Sequence, residues 1–178
     1  MAGARGVRVK IAYRDVTAAD AATLDRIFET TFCDTFGHLY RAEDLDAFLS
    51  SFDLADWEAE LRDPRFAFRL AEADSGPVGY VKLGPVAKLP VETDRPAMLL
   101  DQLYVLKEHH GAGMAHALMD WALDETRRRG AERLYLTVYV DNHRAKRFYD
   151  RYGFEAVGRY DFMVGSHADE DIIMRKAL

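Results

Sequence analysis

Alternation between apolar and polar residues predicts most of the strands in this chain. A strand points successive side chains to opposite faces, so an alternating segment buries one face and exposes the other. Short runs rich in β-branched and aromatic residues predict strands in the interior of a sheet. The predicted strands are 7–13, 65–72, 78–83, 97–105, 134–140, 154–162 and 171–176.

Apolar residues three and four positions apart predict the helices. Thr17 followed by Asp20 is a capping box with Asp in place of the usual Glu, and it predicts the start of the first helix. Asp53 and Asn142 are good N-cap residues for two further helices. The predicted helices lie near 17–32, 43–51, 54–61, 113–129 and 143–152.

The order of the predicted elements indicates the fold class. One strand is followed by helices, three strands, a helix, a strand, a helix and two strands. This order predicts a mixed α/β (α+β) domain rather than an alternating, doubly wound one. The chain has 178 residues, 49% of them hydrophobic, so we expect 1–178 to form a single domain around a sizeable core.

Composition excludes several classes of function. The formal net charge of -6 argues against a broad basic surface, so we expect no nucleic-acid partner. Residues 1–10 lack an apolar signal-peptide core, and no apolar run is long enough to span a membrane. Cys33 is the single cysteine, which is typical of a reducing compartment, so we expect a soluble, cytoplasmic protein without a membrane partner. Cys33 itself is interpreted as a packing residue rather than a nucleophile.

A glycine-containing loop, His110-Gly111-Ala112-Gly113-Met114-Ala115, joins the predicted strand 97–105 to a long helix. Glycine allows tight turns and close approach of a ligand to the backbone. The free N–H groups at a helix start bind phosphate without a basic side chain. A plain strand-to-helix turn is the alternative. The third glycine of a dinucleotide fingerprint and the Gly-Lys-Ser/Thr of a P-loop are both missing.

The wider pattern around this loop resembles the GNAT superfamily of acetyl-CoA-dependent N-acetyltransferases. Leu103-Tyr104-Val105, five residues, and Gly111-x-Gly113-x-Ala115 match its central motif, with His110 where Arg or Gln is usual. Downstream, Asn142, Tyr149 and Tyr152-Gly153-Phe154 resemble the family's second signature.

The resemblance implies a mostly antiparallel sheet of about seven strands with helices on both faces. The fourth and fifth strands would be parallel and splay apart, and the pantetheine arm of acetyl-CoA would lie between them. Backbone groups of Leu103 and Val105 would pair with the arm. The cofactor-binding residues implied are Leu103, Tyr104, Val105, His110, Gly111, Ala112, Gly113, Met114, Ala115, His116, Asn142, Phe148 and Tyr149.

Two residues are candidates for the catalytic proton transfers. The resemblance implies that Tyr149 protonates the leaving thiolate; the alternative is an amphipathic core residue. Asp101 is the candidate general base, because strict alternation places it on one face with Leu103 and Val105. The alternative for Asp101 is a hydrogen-bonded or solvent-facing strand residue. Glu72 is a weaker candidate base.

The segment 31–38 is similar to that of bacterial polyamine acetyltransferases in the superfamily. This similarity implies that Asp34, Phe36 and His38, together with Asp101, contact the acceptor. The alternative is that Phe36 packs in the core and Asp34 caps a turn. For 167–171, turn and surface roles are favoured over a place in the cleft. Adjacent histidines at 109–110 do not converge on one ion, so we expect no metal.

The expected function is transfer of an acetyl group from acetyl-CoA to a primary amine of a small molecule, and a polyamine is the favoured acceptor. Attack would be direct, within a ternary complex. An amino acid, a peptide or a protein N-terminus is the alternative acceptor. A module that senses acyl-CoA without turnover is the alternative from another class. The resemblance also makes a homodimer possible.

Overall fold

Within residues 10–178, which the computed structural model describes, seven strands and five α-helices form the fold. The strands are β1 (Ala12–Asp15), β2 (Ala67–Ala73), β3 (Gly76–Pro85), β4 (Ala97–Val105), β5 (Arg133–Tyr139), β6 (Glu155–Val164) and β7 (His167–Ala177). The helices are α1 (Ala21–Phe36), α2 (Ala42–Leu49), α3 (Leu54–Arg62), α4 (Met114–Arg128) and α5 (His143–Arg151).

All seven strands belong to one sheet in the order β1-β2-β3-β4-β5-β7-β6. Every neighbouring pair is antiparallel except β4 and β5, which are parallel. The predicted mixed, mostly antiparallel sheet is therefore confirmed. The first predicted strand, 7–13, lies partly outside the described residues, at 7–9. The strand observed there is Ala12–Asp15, which ends two residues beyond the predicted end. β7 begins at His167, earlier than predicted, because a two-residue turn at 165–166 suffices to reverse the chain.

The two faces of the sheet carry two different cores. On one face, α4 packs aliphatic side chains such as Met114 and Leu118 against Leu134 and Leu136 of β5. On the other face, the core is aromatic and joins the helices α1–α3 to β2 and β3. Its fully or almost fully buried members include Phe28, Phe32, Trp57 and Tyr80. Helices thus cover both faces, as expected.

The predicted helix caps are largely observed. The Asp53 carboxylate accepts a hydrogen bond of 2.8 Å from the Asp56 N–H. The Asn142 side chain accepts one of 3.1 Å from the Ala145 N–H. At the first helix, Asp20 Oδ2 accepts from the Thr17 N–H at 2.8 Å, and Asp20 is also paired with Arg14. These contacts satisfy N–H groups that a helix start leaves without an intrahelical acceptor.

The parallel pairing of β4 with β5 is short. It covers three residue pairs, from Ala97–Arg133 to Leu99–Tyr135. Beyond Leu99 the two strands pair with β3 and β7 but not with each other. The expected splay between the fourth and fifth strands is therefore confirmed, and it leaves one edge of each strand facing a gap.

A β-bulge lies in β4 at the start of this gap. Leu83 pairs with Leu100 and Lys82 pairs with Gln102, so Asp101 is the extra residue. A bulge places two consecutive side chains on the same side and increases the local twist. Strict alternation along β4 is therefore wrong at Asp101. Leu103 and Val105 pack with the α4-side core, whereas Asp101 contacts Lys82, which lies against Trp57.

The close approach of β3 to β4 requires glycine at position 79. A Cβ there would lie 2.7 Å from the Tyr104 carbonyl oxygen and 3.2 Å from the Val105 Cα. We expect Gly79→Ala to lower the free energy of unfolding in urea by about 1–3 kcal/mol, the usual cost of overpacking. Gly37→Ala is the control, since its Cβ would meet neighbours no nearer than 3.8 Å. Equal stability of the two variants would contradict this account.

Candidate active site

A cavity of about 530 Å³ occupies the gap between β4 and β5 and continues to the α1 side of the sheet. Its two ends differ in chemistry. The end near α4 and α5 is lined by His109, His110, Gly111, Gly113, Met114, Ala115, His116, Asn142, Arg144, Ala145, Phe148, Tyr149 and Arg151. The end near α1 is lined by Thr31, Phe32, Thr35, Phe36, Tyr40, Thr137, Tyr139, Phe162, Asp169 and Asp171.

The glycine loop forms the mouth of the first end. Gly111 and Gly113 have φ of 83° and 82°, a backbone region that other residues rarely adopt. Gly113 directly precedes α4, and its carbonyl accepts the first helical bond, from the Ala117 N–H. The amides of the first helical turn are therefore available to an anion, and the helix dipole favours negative charge there. Loop and helix start together fit a pyrophosphate.

β4 presents its own backbone to the gap. The Leu106 N–H donates to the Val78 carbonyl at 2.8 Å, so this residue pairs with β3. In an antiparallel ladder alternate residues direct their N–H and C=O groups to opposite sides. Leu103 and Val105 consequently point theirs toward the gap, where an extended chain can add like a further strand.

His110 takes part in a contact that the sequence did not predict. Its Nε2 lies 2.8 Å from the Val105 carbonyl oxygen, and its Nδ1 lies 2.8 Å from Nη1 of Arg144. A guanidinium nitrogen can only donate, so Nδ1 accepts and Nε2 carries the proton. The arrangement brings the charge of Arg144, from the first turn of α5, beside the glycine loop.

The remaining residues predicted to bind the cofactor flank the same end. His116 and Phe148 are in ring contact across α4 and α5, with centroids 5.1 Å apart. Tyr152 donates to the Asp120 carboxylate and lies 3.0 Å from Nδ1 of His116, which ties the two helices together. Ala112 is exposed and does not line the cavity. It lies between the two glycines of the loop, which do line it.

Tyr149 lies on the inner face of α5 and lines the cavity. Its ring packs against Phe148 and Phe154. Burial raises the pKa of the Tyr149 hydroxyl to about 12. The hydroxyl therefore stays protonated throughout the neutral range and acts as a donor.

Asp101 is held in an ion-pair network. Its carboxylate lies 3.0 Å from the Lys82 amine and 2.9 Å from the Lys88 amine, and Glu60 of α3 pairs with both lysines. Burial raises the pKa of Asp101, but the two lysines outweigh burial and leave the pKa below its usual value. A carboxylate of low pKa is a weak proton acceptor. The geometry therefore favours a structural role for Asp101 in fixing the bulge.

The candidate acceptor residues on α1 and in the turn after it divide into two groups. Phe36 lines the cavity, whereas Asp34 and His38 are exposed and lie outside the lining. The helical period explains this, because the inner face of α1 repeats at three- and four-residue intervals and skips position 34. Burial and then Glu29 and Asp34 raise the pKa of the Cys33 thiol, which argues against a nucleophile.

Asp169 and Asp171 are the principal residues that the sequence interpretation underestimated. They are 5% and 6% exposed, lie on β7 and face the cavity. Asp169 and Asp171 alternate along the strand with the buried Ile173, a pattern that indicates that all three side chains point inward. The neighbouring turn at 165–166 favoured a surface interpretation instead. Tyr40, which donates to Asp169, was missed because the turn after α1 brings it inward.

Comparison with known proteins agrees with this geometry. Residues 25–154 match the Acetyltransferase (GNAT) family. The chain belongs to the GNAT family. An uncharacterized N-acetyltransferase of Mycobacterium tuberculosis is 35% identical over 165 residues, which cover 92% of this chain and 99% of that protein. The chain is accordingly an N-acetyltransferase that uses acetyl-CoA as its cosubstrate.

Solved structures share the fold. The PaiA N-acetyltransferase of Thermoplasma acidophilum, in complex with coenzyme A, has a TM-score of 0.75 at 20% identity, covering 95% of this chain and 99% of that chain. The yncA protein of Salmonella typhimurium, with its cofactor acetyl-CoA, has a TM-score of 0.71 at 20% identity, covering 94% of each chain.

Two features are absent from residues 10–178. No helix in this part of the chain is long and apolar enough to cross a membrane. The same residues contain no group of three or more His, Cys, Asp or Glu side chains placed to hold a metal ion.

Proposed function

We propose that this enzyme acetylates a primary amine of a small cationic molecule, with a polyamine-like acceptor favoured. One observation carries the proposal. A single cavity joins the phosphate-binding end at α4 to an end with two buried carboxylates and several aromatic rings. Carboxylates and aromatic faces both attract an ammonium group. Cys33, the single cysteine, suits a reducing compartment, and we propose a cytoplasmic location.

Acetyl-CoA is assigned to the end of the cavity at the glycine loop. Its pyrophosphate is assigned to the amides around Gly111 and Gly113, and its pantetheine arm to the backbone of Leu103 and Val105. The supporting geometry is the pair of left-handed glycines and the unpaired edge of β4. Acetyl-CoA supplies the activated acetyl thioester. Met114, Ala115, His116, Asn142 and Phe148 flank this position in the cavity lining.

Arg144 is proposed to supply the cationic side chain of the pyrophosphate site. Position 110 carries His where the family usually carries Arg or Gln, and Arg144 reaches that position from α5. A guanidinium can pair with a phosphate through two parallel hydrogen bonds. The contact with His110 already restricts the rotamers of Arg144, so less side-chain entropy is lost when the pyrophosphate binds.

The chemistry follows from the residues at the centre of the cavity. The amine attacks the thioester carbonyl directly, and the N–H of Val105 stabilises the oxyanion that develops. The Tyr149 hydroxyl donates to the sulfur as the carbon–sulfur bond breaks. Burial holds the pKa of the Tyr149 hydroxyl at about 12, so the proton is available to the sulfur throughout the neutral range.

We expect Arg144→Gln to raise the KM for acetyl-CoA about tenfold, which corresponds to the loss of about 1.4 kcal/mol from a charged hydrogen bond. The kcat value should change little, because the residue lies away from the reacting atoms. Arg147→Gln, an exposed position on the same helix, is the matched control. The loss should persist with acetyl-dephospho-CoA; its disappearance there would assign Arg144 to the 3′-phosphate instead.

We expect Tyr149→Phe to lower kcat on the order of 10²-fold, the lower end for general acid catalysis. The dissociation constant for coenzyme A, measured by calorimetry, should stay within about threefold, because the ring packing is kept. Tyr152→Phe, directly after the same helix, removes hydrogen bonds to α4 and should retain kcat. An unchanged kcat in Tyr149→Phe would exclude the acid role.

The proposed function is tested by thiol release from acetyl-CoA across a panel of acceptors. Spermidine, a simple alkylamine, an amino acid amide and a peptide with a free N-terminus cover the competing classes. We expect turnover with spermidine and the alkylamine, at several times the kcat/KM of the peptide. Preference for the peptide would favour an N-terminal acetyltransferase. Binding of acetyl-CoA without thiol release from any amine would favour a sensor.

A further inference from the structure

The acidic end of the cavity is built from two neighbouring strands. Asp169 and Asp171 of β7 are two residues apart and therefore share a face. Tyr139 of β5 is the direct cross-strand partner of Asp171, and Thr137 lies one pair further along the same face. All four side chains line the cavity, on the side of the sheet covered by α1.

Asp169 and Asp171 are satisfied to different degrees. Asp169 accepts from the Tyr40 hydroxyl and lies 3.2 Å from Nε2 of His167. Asp171 has the Thr137 hydroxyl as its neighbour and forms no ion pair with any Lys or Arg of residues 10–178. Burying a carboxylate without a cation is costly, and such groups concentrate at functional sites. Asp171 is thus a nine-tenths buried acid that faces an open cavity without a cationic partner.

Basic and acidic side chains lie at opposite ends of the cavity. The basic lining residues, Arg144 and Arg151 among them, belong to α5 and the end at the glycine loop. The end near α1 is lined by hydroxyl and aromatic groups besides the two acids. The Phe36 and Tyr139 rings meet edge to face at 6.2 Å and form a wall beside Asp171. An ammonium group is the cation that both the carboxylates and the ring faces accommodate.

We propose that Asp171 accepts the proton of the bound ammonium, and that Asp169, oriented by Tyr40, holds the ammonium in place. The inference rests on the proposed function and names the base and the amine site of that reaction. It favours protonated alkylamines over neutral or anionic acceptors, since these would leave the acidic pair without a cationic partner.

Protons and bonds balance as follows. One ammonium proton moves to Asp171, and the nitrogen lone pair forms the bond to the acetyl carbon as the carbon–sulfur bond breaks. The sulfur takes the Tyr149 proton. The second nitrogen proton leaves as the amide forms and restores Tyr149 through solvent, and Asp171 releases its proton to solvent. The products are an N-acetyl amine, a free thiol and one proton.

The surroundings of Asp171 set its pH dependence. Burial first, and then Asp169, raise the pKa of Asp171 to about 6, while Thr137 acts in the opposite direction. Tyr139, Tyr160 of β6, Tyr40 and Tyr104 are the other titratable groups facing it, and His167 lies beyond Asp169. Burial raises the pKa of Tyr40, Tyr104 and Tyr139, so these hydroxyls stay neutral. We expect kcat/KM to fall as the pH drops below about 6.

The test compares two acceptors that differ in basicity. Ethylamine is protonated at neutral pH and needs a base, whereas trifluoroethylamine is largely neutral and does not. We expect Asp171→Asn to lower kcat/KM for ethylamine on the order of 10²-fold, to spare trifluoroethylamine, and to abolish the acidic limb. Asp169→Asn should mainly raise the KM for ethylamine. Asp161→Asn, an exposed acid on β6, is the control.

Thermal stability separates chemistry from misfolding. A folded pKa above the unfolded value means that the folded state holds an extra proton between about pH 4 and 6, so ionisation of Asp171 destabilises the fold at higher pH. We expect Asp171→Asn to raise Tm at pH 8, with a smaller difference at pH 4. A lower Tm at pH 8, or equal losses with both amines, would overturn the proposal.

Failure of the proposed function has a different signature. Wild-type enzyme that releases no thiol with any amine contradicts both the reaction and the proton step. The amine site is then still measured by the rise in Tm that ethylamine produces in the wild type. A rise that Asp171→Asn and Asp169→Asn abolish supports the amine site, and its absence in the wild type overturns it.

Discussion

The separation of β4 from β5 beyond Leu99 is the constraint on which the rest of the structure depends. Buried backbone N–H and C=O groups need partners, and a sheet that opens in its middle denies them to two strands at once. His110 donates to the Val105 carbonyl, and the other backbone groups of Leu103 and Val105 on this edge of β4 require water or an extended ligand. An acyl chain carried on an amide-containing arm meets that demand. The gap exposes polar backbone in the interior and makes the fold a binding site.

The bulge at Asp101 and its ion pairs show how the gap is supported. Lys82 is 3% exposed, and it connects Asp101 on β4 to Glu60 on α3 beneath the rings of Trp57 and Phe66. A buried ion pair contributes little net stability, but loss of one partner is costly, so such a network fixes geometry more than it adds energy. The twist at the bulge is thereby tied to α3.

Sequence patterns were sufficient for the elements and for the glycine loop, because both depend on local chemistry. The strand 97–105, the cap at Asn142 and the helix after Gly113 agree with the structure within one or two residues. The proposed acceptor end could not be predicted in this way. Asp34 is acidic but turned to solvent, whereas Asp169 contacts Tyr40 across 129 residues of sequence. Long-range pairing leaves no local pattern.

The contrast between Asp101 and Asp171 explains why we propose Asp171 rather than Asp101 as the base. Both carboxylates are buried near the same gap, but lysines lower the pKa of Asp101, and burial beside Asp169 raises that of Asp171. An acid with compensating cations is stable and unreactive, while an acid without them costs stability and gains basicity. In the proposed mechanism this cost in stability falls on the unliganded enzyme and is relieved when an ammonium binds. Amine recognition and amine deprotonation would then both follow from one missing ion pair.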